Sequence, residues 1–391
     1  MKQNGPDQHQ AGQVIISVAV TAHPVRERLA LDILTDLREF DPCLIRDPSP
    51  WDPPATLRTT ARAWAAIAPG ATHHLVLQED IALIDGFASH LRDAVAAHPN
   101  HPIALFTDGT SRNSSVIRYA ALTGARWAEA APQYTPCQAL VMPRTLVEGF
   151  VRFARVHCNP AQPDDEAMRA YLAYEGAELL LTVPNLVQHL PVRSLVGNDG
   201  APRSAACLPK DLPSGWFLSH GAPVARYPQL PFLTEGSVGI CLRRDPRGPN
   251  TPILPEQGWT IEEFEPNAHE VGINIDEAVT EYNAYLANQP TAAVRALFED
   301  VPPRTLWSLW IAGYLCTAGS HLKYFRRAAL PEGPDDTLIR ESMRSLALGG
   351  LHPQVKLQDT SGHLWSRLGP VLSSGVERGR GVDEPSENGH G

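Results

Sequence analysis

The triplet Gln78-Glu79-Asp80 closes the apolar run His74-Leu75-Val76-Leu77 and is followed by Ile81. Acids just past a buried strand sit at the carboxyl edge of a sheet, the rim on which open α/β folds place their ligands. They could hold a hard divalent cation such as Mg²⁺ or Mn²⁺, which takes one or two carboxylates from protein and other oxygens from the diphosphate of a bound nucleotide. A solvated strand end with two surface acids is the other reading of these three residues. A second acidic group, Asp164-Asp165-Glu166, opens a helical stretch through Leu172 or Ala173. Negative charge in a first turn favours the helix dipole, so these acids also have a purely structural use.

The elements that must position these groups alternate between strand and helix, the pattern of a parallel sheet. Val14 to Val20 is rich in β-branched residues and ends at the turn Thr21-Ala22-His23-Pro24, so it is expected as the first strand. Arg26 to Phe40 carries Leu29, Ile33, Leu34 and Leu37 at helical spacing, and Cys43-Leu44-Ile45 gives a second strand ending at Arg46-Asp47-Pro48. A helix over Pro53 to Ile67 leads to the strand His74 to Leu77, and a helix over Gly86 to His98 leads to the strand Ile103 to Phe106. Gln138 to Met142 is expected as a strand, Arg144 to Phe153 as a helix and Leu179 to Val183 as the last strand of this half.

Chain-level properties narrow the function classes. With 391 residues and 43% hydrophobic content the chain can bury one large or two ordinary cores. A net charge of -10 argues against a nucleic-acid partner held through phosphates. Six cysteines are scattered without a C-x-x-C pair, which fits a reducing cytoplasm better than a zinc ribbon or disulfide framework. Residues 1–12 are polar, lack the apolar core of a signal peptide and are expected as a disordered leader. Leu306 to Ala318 is too short to span a bilayer, so no transmembrane segment is expected. No G-x-G-x-x-G follows the first strand, and neither G-x-x-x-x-G-K-[ST] nor G-x-S-x-G occurs; this removes the main support for dinucleotide oxidoreductase, P-loop and serine hydrolase readings.

The order "TAHPVRER", a second strand ending in Asp, "HHLVLQEDI", "CQALVMPR", "PDDEAMRAYL" and "VPNLVQHL" resembles the GT-A fold nucleotide-sugar glycosyltransferases, in particular the bacterial group whose metal motif reads Gln-Asp-Asp or Glu-Asp-Asp. The resemblance implies a Rossmann-like α/β domain over residues 13–200 with a mixed, mostly parallel sheet flanked by helices. It implies Asp80 as the ligand of Mn²⁺ or Mg²⁺ and Glu79 as a companion that orients the ribose or a metal-bound water. Two consecutive Asp residues are commoner at these positions, and Glu79 is one methylene longer.

His189 is similar to the histidine that these enzymes place after the last core strand as a further metal ligand. Asp165, with Asp164 beside it, looks like the catalytic base of inverting members, which takes the proton of the acceptor hydroxyl. Thr21, His23 and Arg26 resemble the start of the nucleotide site, with Gln78 in the same motif as the metal ligand. Asp47 stands where such folds contact base or ribose, and Arg193 and Ser194 could close over the diphosphate. The activity implied is metal-dependent transfer of a sugar from a nucleoside-diphosphate sugar to an acceptor hydroxyl, with inversion. Two other readings stay open: a catalytically silent nucleotide-binding or scaffold protein of the same fold, and a sugar-phosphate nucleotidyltransferase. The latter lacks the Gly-rich, basic loop that would cradle a triphosphate after the first strand.

Residues 201–258 are rich in Pro and Gly and are expected as an irregular extension. Residues 259–372 read as mainly α-helical, with Thr260-Ile261-Glu262-Glu263 at capping-box spacing, an amphipathic helix over Ile275 to Leu286, a long apolar helix over Thr305 to Ala329 and a helix capped by Asp335-Asp336. The resemblance implies acceptor binding or homo-oligomerisation for such helices, while Trp307 and Trp310, three residues apart, suit simple packing. Residues 373–391, rich in Gly, Ser and charge, are expected to be disordered.

Overall fold

The computed structural model describes residues 14–131, 135–195, 197, 203–218, 223–224, 229–243, 259–318, 335–352 and 363–380. The expected leader at residues 1–12 lies outside them. The first half of the chain builds a seven-stranded sheet from β1 (Ile16–Ala22), β2 (Cys43–Arg46), β3 (His73–Leu77), β5 (Ile103–Ala104), β6 (Trp127–Glu129), β7 (Ala139–Pro143) and β8 (Leu180–Thr182), in the order β2-β1-β3-β7-β5-β8-β6. Strands β2, β1, β3, β5 and β8 run one way, while β7 and β6 run against their neighbours. The α/β sheet is therefore mixed and mostly parallel.

Strand periodicity sorts the core into two layers. In β1, Ile16, Val18 and Val20 face a cluster that includes Ala30 and Ile33 of α1 (Glu27–Asp36) and Leu91 and Ala94 of α3 (Phe87–Ala97). Ala19 of β1, with Val76 of β3 and Leu140 of β7, faces the opposite cluster. That layer holds α2 (Thr56–Ala65), α4 (Asn113–Thr123), α5 (Arg144–His157) and α6 (Asp164–Glu175). A period of two in the strands, apolar on both sides, is what a sheet covered by helices on both faces requires.

From β1 the chain crosses through α1 to β2 on one side, then returns through α2 on the other face to β3 on the opposite side of β1. The carboxyl ends of β1 and β3 consequently flank a topological switch point, where an open α/β sheet has its crevice. The segments that leave this crevice are Thr21 to Arg26 and Gln78 to Asp80.

Past the sheet the region expected to be irregular contains a β-hairpin. Strands β10 (Gln229–Thr234) and β11 (Ser237–Arg243) pair antiparallel, and β12 (Trp259–Glu263) joins β11. The capping-box reading of Thr260 to Glu263 is thus corrected. Thr260 Oγ1 donates to Glu262 Oε1 at 2.9 Å along the strand, and the short helix α7 (Phe264–Asn267) begins only afterwards.

Helices α8 (Ile275–Ala287), α9 (Thr291–Asp300), α10 (Pro303–Leu315), α11 (Asp336–Gly350) and α12 (His363–Arg380) complete the expected helical region. The apolar helix expected over Thr305 to Ala329 is α10 in its first part; residues 319–329 lie outside the described residues. Asp335 caps α11, its Oδ1 accepting from the Thr337 and Leu338 N–H groups at 2.7 and 3.2 Å. Trp307 and Trp310 stack at 5.8 Å between ring centroids beside Tyr282, as packing predicts.

Helix α12 runs through Ser373 to Arg380, part of the tail expected to be disordered. Its Leu368, Val371, Leu372 and Val376 are buried in the same core as Leu309 and Trp310 of α10. Small residues let the two backbones approach: a Cβ on Gly375 would run into the Trp310 carbonyl. Gly375 and Gly379 are packing residues, which composition alone does not distinguish from linker residues.

Arg118 of α4 fastens this helical region to the sheet domain. Its guanidinium is 1% exposed and donates to the Ser342 carbonyl of α11 at 3.1 Å, the Gly109 carbonyl at 2.8 Å and Ser345 Oγ at 3.2 Å. Burial pulls its pKa down to about 10, so it remains a cation at neutral pH. Among the described residues no helix is long and apolar enough to cross a membrane.

Candidate functional site

Arg26 is delivered to the crevice by a 3₁₀ turn, Pro24–Arg26, that follows β1. Asp80 is delivered by the end of β3, and Gln78 fixes that exit by donating its N–H to the Gln138 carbonyl at 2.9 Å. Arg26 Nη1 lies 2.6 Å from Asp80 Oδ2 and 3.6 Å from Glu79 Oε1, with all three side chains nearly buried. The other end of the Arg26 guanidinium donates to the Arg193 carbonyl. The resemblance pointed to the Arg193 side chain; its backbone is what meets Arg26, and the residue itself is exposed.

His189 reaches the same place through a device with no sequence signature. The three-residue strand β4 (Ile81–Leu83) starts right after Asp80 and pairs antiparallel with β9 (Val187–His189), setting His189 opposite Ile81. The ladder extends one bond further, from the Leu190 N–H to the Asp80 carbonyl at 2.8 Å. His189 Nε2 consequently stands 3.5 Å from Asp80 Oδ2. Strands this short show no usable periodicity, and their pairing depends on contacts about a hundred residues apart in the chain.

The electrostatics of the two neighbouring acids diverge. Burial raises the Glu79 pKa to about 7, with the adjacent Asp80 charge adding to it; hydrogen bonds, including one from the His23 N–H, and the Arg26 charge pull the other way. Burial also pushes Asp80 up, but His189 and Arg26 together outweigh it and hold that carboxyl below its ordinary range. Asp80 is thus the permanent anion of the pair, and Glu79 exchanges its proton near neutrality.

The remaining expected residues divide into those at the crevice and those tied into the scaffold. His23 Nδ1 accepts from the Val25 N–H at 3.2 Å, which leaves Nε2 as the donor to the Pro50 carbonyl at 3.0 Å. Thr21 is buried and its hydroxyl donates to the Leu77 carbonyl at 3.3 Å, so it braces β1 against β3. Asp47 is bidentate to Arg58 at 3.0 Å on both oxygens and accepts from the Ser49 N–H at 2.9 Å, which shapes the loop after β2. Ser194 is half-buried beside Arg193.

Asp164 and Asp165 separate into different roles. Asp164 is 5% exposed, accepts from Thr60 Oγ1 at 3.0 Å, and its N–H donates to Thr56 Oγ1 at 2.9 Å. It pins α6 to α2. Asp165 is half-buried, and burial followed by the Asp164 charge raises its pKa. Both acids bear on Cys137, whose neighbour Gln138 accepts the Gln78 N–H through its carbonyl.

Comparison of the chain with protein-family models finds no match. Comparison with curated proteins finds no significant relative either.

The residues meet part of what a divalent cation needs. Asp80 Oδ1 is buried and has no hydrogen-bond partner, the state of a carboxylate oxygen able to accept a cation. His189 adds an imidazole nitrogen suited to Mn²⁺. Among the described residues no group of three or more His, Cys, Asp or Glu side chains forms a metal cage. Two protein ligands with the rest from substrate oxygens and water is the pattern for a cation that arrives with a diphosphate.

One feature of the rim has no counterpart among the expected residues. Trp51, in the loop after β2, is 81% exposed, and its ring meets the His23 ring edge-on at 5.9 Å. The local signal was an aromatic residue set among Pro48, Pro50, Pro53 and Pro54 at a strand exit.

Proposed function

We propose that this protein is a metal-dependent transferase of the GT-A type, moving a sugar from a nucleoside-diphosphate sugar to an acceptor hydroxyl with inversion. The observation that carries the reading is the convergence of Arg26, Asp80 and His189 at the switch point of the sheet, within 2.6 and 3.5 Å of one carboxylate oxygen. A cation and a fork of N–H donors beside a buried carboxylate suit a diphosphate, whose oxyanions need both charge and directed hydrogen bonds. When bound, Mn²⁺ or Mg²⁺ would be held by Asp80 and His189 and would neutralise charge on the departing diphosphate.

The rest of the chemistry belongs to the chain. Arg26 turns from Asp80 toward the diphosphate and donates to its oxygens. His23, in the turn after β1, and Gln78, at the end of β3, line the donor side of the crevice. Asp165 accepts the proton of the acceptor hydroxyl as that oxygen bonds to the anomeric carbon. The bond from the anomeric carbon to the diphosphate breaks at the same time, and its electron pair leaves with the nucleoside diphosphate. A carboxyl whose pKa is raised is the stronger base for this step. Asp164 holds the helix that carries it.

The silent-binder reading has one observation in its favour: Arg26 already satisfies Asp80 Oδ2. Thermal denaturation with a panel of nucleotide sugars and Mn²⁺ separates a site from no site, because ligand bound only to the folded state raises the melting temperature. The proposal requires stabilisation by at least one nucleotide sugar, larger with Mn²⁺ than with EDTA. A flat response across the panel would remove it.

A further inference from the structure

A tryptophan that is 81% exposed leaves most of its apolar surface in water, although indole is among the side chains with most to gain from contact. The loop that presents it is nevertheless firmly built. Asp47 and Arg58 form a bidentate ion pair beneath it, and Arg58 Nη2 also donates to the Ser49 carbonyl at 2.8 Å. The Asp52 N–H donates to the Ser49 carbonyl at 3.1 Å, and the Asp47 N–H ties the loop to the end of β1 at the Ala22 carbonyl, 2.9 Å away. Prolines 48, 50, 53 and 54 restrict the backbone further. His23 Nε2 donates to the Pro50 carbonyl and its ring meets the indole, so Trp51 packs against the turn that carries Arg26 into the crevice.

We propose that Trp51 is a stacking platform for the base of a nucleoside diphosphate, a specificity residue of the site described above and dependent on that reading. The geometry supports the base in particular. The crevice between the ends of β1 and β3 holds the anion-binding groups, and the loop after β2, next to β1, is the adjoining position along the rim. A ligand with its diphosphate at Arg26 and Asp80 directs its nucleoside across His23 to Trp51. Stacking on an indole face tolerates any base, so nucleotide preference comes from other contacts.

Calorimetric titration of the full chain with UDP, GDP, ADP, UDP-glucose and inorganic pyrophosphate, each with Mn²⁺, tests this in wild type, Trp51→Ala and Trp51→Phe. The exposed position makes both variants fold normally, which their melting temperatures verify. The expected result is a 10- to 100-fold loss of affinity for the best nucleoside diphosphate in Trp51→Ala, recovery to within about threefold in Trp51→Phe, and pyrophosphate affinity unchanged in both. Unchanged nucleoside diphosphate affinity in Trp51→Ala overturns the platform and leaves the transferase reading intact. Equal losses for nucleoside diphosphate and pyrophosphate overturn it as well, because the side chain would then act through His23 and the anion site. A loss confined to UDP-glucose, with UDP unaffected, assigns the indole to the sugar and overturns the base assignment. Wild type that binds no nucleoside diphosphate overturns both the platform and the transferase reading.

Discussion

Arg26 and Asp80 stand 54 positions apart in the chain and meet at 2.6 Å across the switch point of the sheet. Each is delivered by the carboxyl end of a neighbouring strand, β1 for the arginine and β3 for the aspartate. Together with His189 the pair holds Asp80 as an anion, and it puts a guanidinium where a divalent cation would bring its charge. On the proposed function, arginine and metal would compete for one carboxylate until a diphosphate engaged the arginine.

Removing the competitor should tighten metal binding in the absence of nucleotide. Arg26→Met is expected to raise the affinity for Mn²⁺ alone by roughly tenfold, a change of about 1.4 kcal/mol, and to weaken nucleoside diphosphate binding in the presence of Mn²⁺. Asp80→Asn should abolish Mn²⁺ binding in either background. Titration calorimetry checks all three; equal Mn²⁺ affinity in wild type and Arg26→Met would show that the two cations do not share the carboxylate.

Glu79 gives the fold a dependence on pH of definite sign. Its pKa rises from 4.5 to about 7 on folding, so the folded chain holds more protons than the unfolded chain between those values. This contribution to stability is full below about pH 4.5 and falls as the pH rises through 7, by on the order of 3 kcal/mol across the window. Asp80 acts the other way, since its depressed pKa gives stability that is lost only at more acidic pH. Urea unfolding in EDTA between pH 5 and 8 should show the decline in wild type and its near absence in Glu79→Gln. The same slope in both proteins would place the titrating group elsewhere.

The two acids at the start of α6 should respond differently to mutation. Asp165→Asn is expected to lower turnover by 10²- to 10⁴-fold with donor binding and stability little changed, the range for a general base. Asp164→Ala should instead destabilise the fold by about 1–2 kcal/mol, because Thr60 loses its acceptor. Kinetics and urea denaturation of the two variants check the division. Loss of turnover in Asp164→Ala at unaltered stability would reverse it.

Helix packing at the end of the chain makes a separate prediction. Gly375→Val should cost roughly 1–3 kcal/mol, since the added side chain meets the Trp310 carbonyl of α10. Denaturation of the full chain against wild type measures it, and a neutral outcome would show that the two helices do not pack this closely.

Much of the scaffold could be read from the sequence because β1, β3 and β7 are apolar on both faces and α5 and α8 are amphipathic over several turns. The crevice residues were legible for the same reason: Asp80 follows the clearest strand of the chain. What stayed hidden depends on distant contacts. The β4/β9 ladder that brings His189 to Asp80 involves two strands of three residues each. Thr260 to Glu263 has the spacing of a helix cap, yet pairing with β11 makes it a strand. Gly375 carries the composition of a linker, although its lack of a side chain is what admits α10. Arg26 was legible as a rim residue, but its ion pair with Asp80 exists only once β1 and β3 lie side by side.

Asp80, His189, Arg26 and Asp165 are proposed to form one site for a nucleotide sugar. Its most direct test is release of nucleoside diphosphate from a panel of nucleotide sugars by purified protein with Mn²⁺ or Mg²⁺, compared with Asp80→Asn and Asp165→Asn. Wild type is expected to show metal-dependent release from at least one donor, and both variants to lose that release. No release from any donor, together with no metal-dependent binding of UDP, GDP or ADP, would contradict it.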